Sequence, residues 1–163
     1  MPSLEGTTAR DMLRHSLAAI AYRGGKIIRS APQGYVDFQA GNNSRTPVQI
    51  LAHIGDLLAW ALSIAKGQPG WHPSAPLPWP DEVQRFFDSL KPLDDYLAGS
   101  EQLHAQPEKL LQGPIADALQ HVGQLALLRR LSGTPVRAED FYSADISTGR
   151  VGKEQSAPKF EFD

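Results

Sequence analysis

Apolar positions recur at helical spacing in four stretches of the chain, and proline- and glycine-rich connections separate them. The first stretch spans residues 8–30, where Leu13, Leu17, Ile20, Ile27 and Ile28 form one stripe. Gly24 falls on that stripe, which suits a close helix–helix approach. Residues 31–45 contain Pro32, Gly34, Gly41 and Asn42-Asn43 and read as a loop. The second helix has the clearest start: Thr46 as N-cap, Pro47 at the first helical position and Gln49 completing a capping box. It runs through VQILAHIGDLLAWALSIAK to a stop at Gly67.

Residues 68–80 hold five prolines with Trp71 and Trp79 between them, so the pattern predicts a stiff, non-helical crossover. The third helix is expected over 81–97, with Val83, Phe86, Phe87, Leu90, Leu93 and Leu97 on one face and a kink at Pro92. The fourth is expected to begin at Pro114 and end at Gly133. The connections are too long for tight up-down turns, so at least one should cross over, and the proline-rich one is the best candidate. The expected fold is all-α: a single domain over 1–163, with a four-helix bundle over 8–132, long crossover connections and an irregular C-terminal tail over 133–163.

Helical phase, at about 100° per residue, sorts the polar side chains. In the second helix His53 lies within the apolar arc and Asp56 just outside it, beside Trp60. In the fourth, His121 flanks the stripe with Asp117 one turn earlier, and Arg129 lies in the middle of it while Arg130 points outward. A buried charge needs a partner. Arg129 is expected either to snorkel or form a structural ion pair, or to act as an anchor for the tail, for example through Asp145, or for a substrate anion. Asp11 and His15 share the i, i+4 spacing, but on the side opposite Leu13 and Leu17, so that pair is expected to be only a weak surface interaction.

Two readings of His53 and His121 follow. A histidine on an apolar face can be satisfied by a carbonyl or carboxylate, whereas two imidazoles on separate core helices, each with a carboxylate within a turn, can also converge on a metal ion.

Composition narrows the function classes. The 163 residues are 41% hydrophobic and 21% charged with a formal net charge of −2, which excludes the electrostatic footprint of a nucleic-acid binder. With no cysteine, disulfides, thiolate ligands and a protein-borne thiol nucleophile are all excluded. The N-terminal MPSLEGTTARDML does not read as a signal peptide, and no segment reaches the ~20 apolar residues of a membrane span, so a soluble cytoplasmic protein is expected.

The segments TPVQILAHIGDLLAWAL and IADALQHVGQLALLRRLSG, in that order, resemble the DinB-like (DinB/YfiT) superfamily. The tail segment EDFYSADISTGRVG resembles C-terminal segments of bacterial members, so the resemblance spans about residues 8–150. It implies a four-helix bundle, often homodimeric, holding a divalent metal (nickel, zinc, iron or manganese) between one histidine of helix two and an HxxxH pair of helix four. It also implies a thiol-dependent transferase or isomerase whose cosubstrate brings the thiol.

Carried over by position, His53 and His121 are ligands, and the chain departs from the pattern at Asp117, where the family has a histidine. Asp117 then serves as the third ligand, or marks a member that has lost its metal. Asp56 would orient an imidazole, act as base or be a fourth ligand, and Trp60, Trp71, Trp79 and Arg129 would wall the pocket. The alternative is a non-catalytic bundle that binds a small ligand or a stress-related partner without a functional metal.

Overall fold

A computed structural model describes residues 8–163; the expectation of no leader peptide rests mainly on residues 1–7 and lies outside them. The protein is mostly helical. The four long helices are α1 (Ala9–Ile28), α3 (Pro47–Ala65), α4 (Trp79–Ala98) and α6 (Ala116–Leu131). Between them lie two single-turn helices, α2 (Gln33–Val36) and α5 (Pro107–Leu110), and the π-helical turn Leu111–Ile115.

Local chemistry sets the boundaries. Capping boxes open α1 (Thr8 with Asp11) and α3 (Thr46 with Gln49), each satisfying backbone amides that have no intrahelical partner. Helix α4 starts at Trp79, two residues earlier than expected. Pro80 sits in its first turn, where a missing N–H loses no hydrogen bond. The helix continues through Pro92. The expected start of the last helix at Pro114 is instead part of the π-turn, where Gly113 takes non-helical angles (φ −92°, ψ −107°), so the regular helix begins only at Ala116. The loop expected over 31–45 contains α2, whose Tyr35 is fully buried and donates its hydroxyl to the Leu125 carbonyl at 2.8 Å.

Each long helix packs against two others: α3 on α4 and α6, and α1 on α4 and α6. Around that ring the chain joins neighbours only between α3 and α4. The proline-rich connection therefore does not cross over, contrary to expectation; the crossings are made by residues 29–46 and 99–115. The reason is a polar clamp. The Arg85 guanidinium bonds Asp56 at 2.9 Å, Glu82 at 3.0 Å and the Ala52 carbonyl at 3.0 Å, while Asp56 and Glu82 accept the Ser74 and Leu77 amides. This folds the rigid segment back over the α3–α4 seam.

The core is formed by Leu17 and Ile20 of α1, Leu51, Ile54 and Leu58 of α3, Phe86 and Leu90 of α4, and Leu125 of α6. As expected, Gly24 permits a close approach: a Cβ there would lie 2.7 Å from Cζ of Phe86. Helix α3 is the one helix among the described residues long and apolar enough to cross a membrane, with a mean hydropathy of 1.5, but most of it is buried in the protein's own core.

The tail has little regular structure but is tied down. A two-residue antiparallel ladder pairs β1 (Ala138–Glu139) with β2 (Glu161–Phe162), and Val151 is buried. Buried Glu139 accepts hydrogen bonds from the Tyr22 hydroxyl and the Lys26 ammonium. Burial and the adjacent carboxylate push the Tyr22 phenol above its ordinary pKa, so it remains a proton donor.

Candidate metal centre

Helices α3 and α6 pack side by side, and this brings together three side chains that are 64 or more positions apart across the two helices. His53 comes from α3, and Asp117 and His121 come from α6, one turn apart. One ligand atom from each lies within 4.8 Å of the others. The imidazole rings stand edge to face with centroids 4.7 Å apart, and Nε2 of His121 lies 3.3 Å from a carboxylate oxygen of Asp117. Donors bound to one ion at about 2.0–2.2 Å are spaced roughly 3–3.5 Å apart, so the histidine–aspartate pair of α6 already has that spacing and the set needs to contract by the order of 1 Å.

The protonation pattern favours ligation. Nδ1 of His121 lies 2.6 Å from Oε1 of Gln124, and donating its proton there leaves Nε2 with a free lone pair facing Asp117 and His53. Burial, the Arg45 guanidinium and His121 all lower the pKa of His53, outweighing the opposite effects of Asp117 and Asp56. His53 is therefore neutral at neutral pH, the form that coordinates a cation. Two nitrogens and one carboxylate oxygen suit zinc, nickel, iron or manganese. The residues present could thus hold a divalent metal.

The surroundings are half wall, half opening. Trp71 lies edge-on to His53 at 5.6 Å and Trp60 backs it at 5.8 Å. Next to His121 a cavity of about 430 Å³ is lined by Ile50, Leu127 and Leu128, with Ser44, Arg45 and Gln124 as its polar groups.

The remaining sequence expectations fare differently. Asp56 makes no hydrogen bond to an imidazole; Ser74 and Arg85 occupy both of its oxygens, so it is a structural carboxylate and not a free base or fourth ligand. Trp79 packs on Tyr35 at 5.9 Å instead of lining the histidines. Arg129 is buried as phase predicts, but it donates to the Ile27 and Thr134 carbonyls at 2.8 and 2.6 Å. It secures the start of the tail, not through Asp145, which is held by Arg150 and Ser156. Asp11 and His15 do not pair: Asp11 caps α1, and His15 reaches Thr148 at 2.9 Å.

Sequence reading missed two residues. Gln124 was legible as the i+3 neighbour of His121 on the same helix. Arg45 sits in a loop, where no periodicity reports direction. No protein-family model, curated protein or solved structure matches the chain.

Proposed function

We propose that the chain is a divalent-metal-dependent enzyme built on a DinB-like four-helix bundle, acting on a small substrate through a low-molecular-weight thiol. The observation that carries this reading is the convergence of the His53, Asp117 and His121 donors, within 4.8 Å of one another, from two helices. These three side chains would hold the metal. A bound divalent ion would lower the pKa of a coordinated thiol and supply a thiolate nucleophile, which a chain with no cysteine cannot provide itself.

The protein's own groups do the rest. Gln124 holds His121 in the tautomer that presents Nε2. Asp117 contributes a negative charge where a third histidine would be neutral, which weakens the Lewis acidity of the ion. Trp71, backed by Trp60, flanks His53, and the cavity beside His121 leaves room for an apolar substrate with Arg45 at its polar edge.

A second reading rests on the 3.3 Å contact between Asp117 and His121. With the proton on Nε2 instead, that contact satisfies the imidazole without any metal, as in a non-catalytic bundle that binds a ligand or partner.

Metal titration separates the two. At a free concentration a hundredfold above Kd, Ni²⁺ or Zn²⁺ should stabilise the wild type by about 2.7 kcal/mol. For a chain of this length that raises Tm by roughly 5–11 °C. A His53→Ala/His121→Ala variant should show no such rise. Wild type binding less than about a tenth of an equivalent after supplementation, with unchanged Tm, would overturn the metal reading.

A further inference from the structure

About half a turn around α6 from His121, a second cleft opens between α1, α6 and the start of the tail. Its volume is about 200 Å³. Val122 and Ala126 of α6 and Val136 of the tail give it apolar walls, and Arg23, Arg130 and Arg137 line it from three separate segments. No aspartate or glutamate lines it among the described residues.

The charges there are not neutralised. Lys26 also borders the cleft, but Glu139 and Glu161 hold its ammonium at 2.6 and 3.0 Å, so its charge is compensated. Among the described residues Arg137 meets only the largely exposed Asp163, at 3.3 Å, a pair that water screens. Arg23 lies over the ring of Phe141, 4.3 Å from its centroid, which fixes the guanidinium without satisfying its charge. Neither Arg23 nor Arg130 forms an ion pair or a side-chain hydrogen bond among the described residues.

Gly123 supplies an independent observation. It lies mid-helix, where glycine is a poor choice for stability, yet a Cβ placed on it would meet nothing within 4 Å. Packing therefore does not require glycine here. What its missing side chain preserves is the open space of the cleft, which it lines.

We infer that this cleft binds a small organic carboxylate with an apolar body, its charge held by Arg23 and Arg130 and its body seated on Val122, Ala126 and Val136. Guanidinium groups match a planar carboxylate, and the apolar walls reject a bare inorganic anion. The volume lies below the roughly 300–1,000 Å³ of drug-sized sites, which sets the ligand at the scale of a single ring or a short branched chain. The site is separate from the metal centre and does not depend on it.

The test is a titration of the full chain with benzoate, benzamide and inorganic phosphate, followed by backbone amide NMR shifts in the presence of a metal chelator. Benzoate should shift the amides of Gly123, Ala126 and Ala138 saturably. Benzamide, the same shape without the charge, should bind about tenfold more weakly or worse. An Arg23→Gln/Arg130→Gln variant should lose about tenfold in benzoate affinity, while Lys91→Gln/Lys109→Gln, which removes the same two positive charges from exposed positions outside the cleft, should lose none. Gly123→Leu should abolish binding with every charge retained; dispersed amide spectra establish that each variant is folded, and the arginine variant alone decides the matter should the leucine variant not fold. Equal binding of benzamide and benzoate, equal shifts from phosphate, or full benzoate affinity in the arginine variant would each overturn the assignment.

Discussion

Replacing Asp56 by alanine tests whether this carboxylate fastens the proline-rich connection or serves the histidines. Its side chain is 6% exposed and accepts three hydrogen bonds, from the Ser74 amide at 2.9 Å, the Ser74 hydroxyl at 2.8 Å and the Arg85 guanidinium at 2.9 Å. Removing one partner of a fully buried ion pair costs about 3–5 kcal/mol, mostly because the other charge is orphaned. Arg85 is not fully orphaned here: it keeps Glu82 and the Ala52 carbonyl and is 24% exposed. The Ser74 groups can turn to water. The expected loss is therefore about 2–3 kcal/mol, at and just below the lower end of that scale. At roughly 2–4 °C per kcal/mol for a chain of this size, Tm should fall by about 4–12 °C. Limited proteolysis should find new cleavage within residues 68–78 as the segment lifts from α3 and α4. Metal stoichiometry should not change. An unchanged Tm together with lost metal binding would refute this, since Asp56 would then belong to the metal centre.

Other perturbations carry equally definite signs. Gln124→Ala removes the acceptor that fixes the His121 tautomer, so metal affinity measured by calorimetry should drop about 10–100-fold with Tm of the metal-free protein nearly constant; undiminished affinity would exclude that role. The folded-state pKa of His53 is depressed below the ordinary value of about 6.5. The unfolded chain thus binds this proton more readily, and the stability contributed by a neutral His53 is present above pH ~6.5 and lost as pH falls through the lower, folded value. Metal-free wild type should accordingly show a steeper Tm decline below that pH than a His53→Gln variant, and parallel curves would contradict it. Gly24→Ala should destabilise by about 1–3 kcal/mol in denaturant unfolding, because the clash with Phe86 outweighs the helix propensity gained; a more stable variant would refute the close approach. Arg129→Met leaves the Ile27 and Thr134 carbonyls without their donor, and amide exchange should quicken around residues 134–139; unchanged protection there would exclude the anchor.

What the amino-acid sequence determined by itself is local. The starts of α1 and α3, the buried face of each helix, the inward phase of His53, His121 and Arg129, and the close approach at Gly24 all follow from spacing and capping. These depend on interactions within one or two helical turns, which the order of residues encodes directly. Tertiary structure alone decided the rest. Asp56 and Asp117 both sit a turn from a histidine, yet one is consumed by Arg85 and Ser74 while the other faces the imidazoles. Trp71 and Trp79 share one connection, yet only Trp71 reaches His53. The partner of a polar side chain is chosen by which segments meet in space, and helical phase gives a side chain's direction but not what waits there. The same limit hid the crossover order: proline content reports the stiffness of residues 68–80, while their course was set by the Asp56–Arg85–Glu82 clamp.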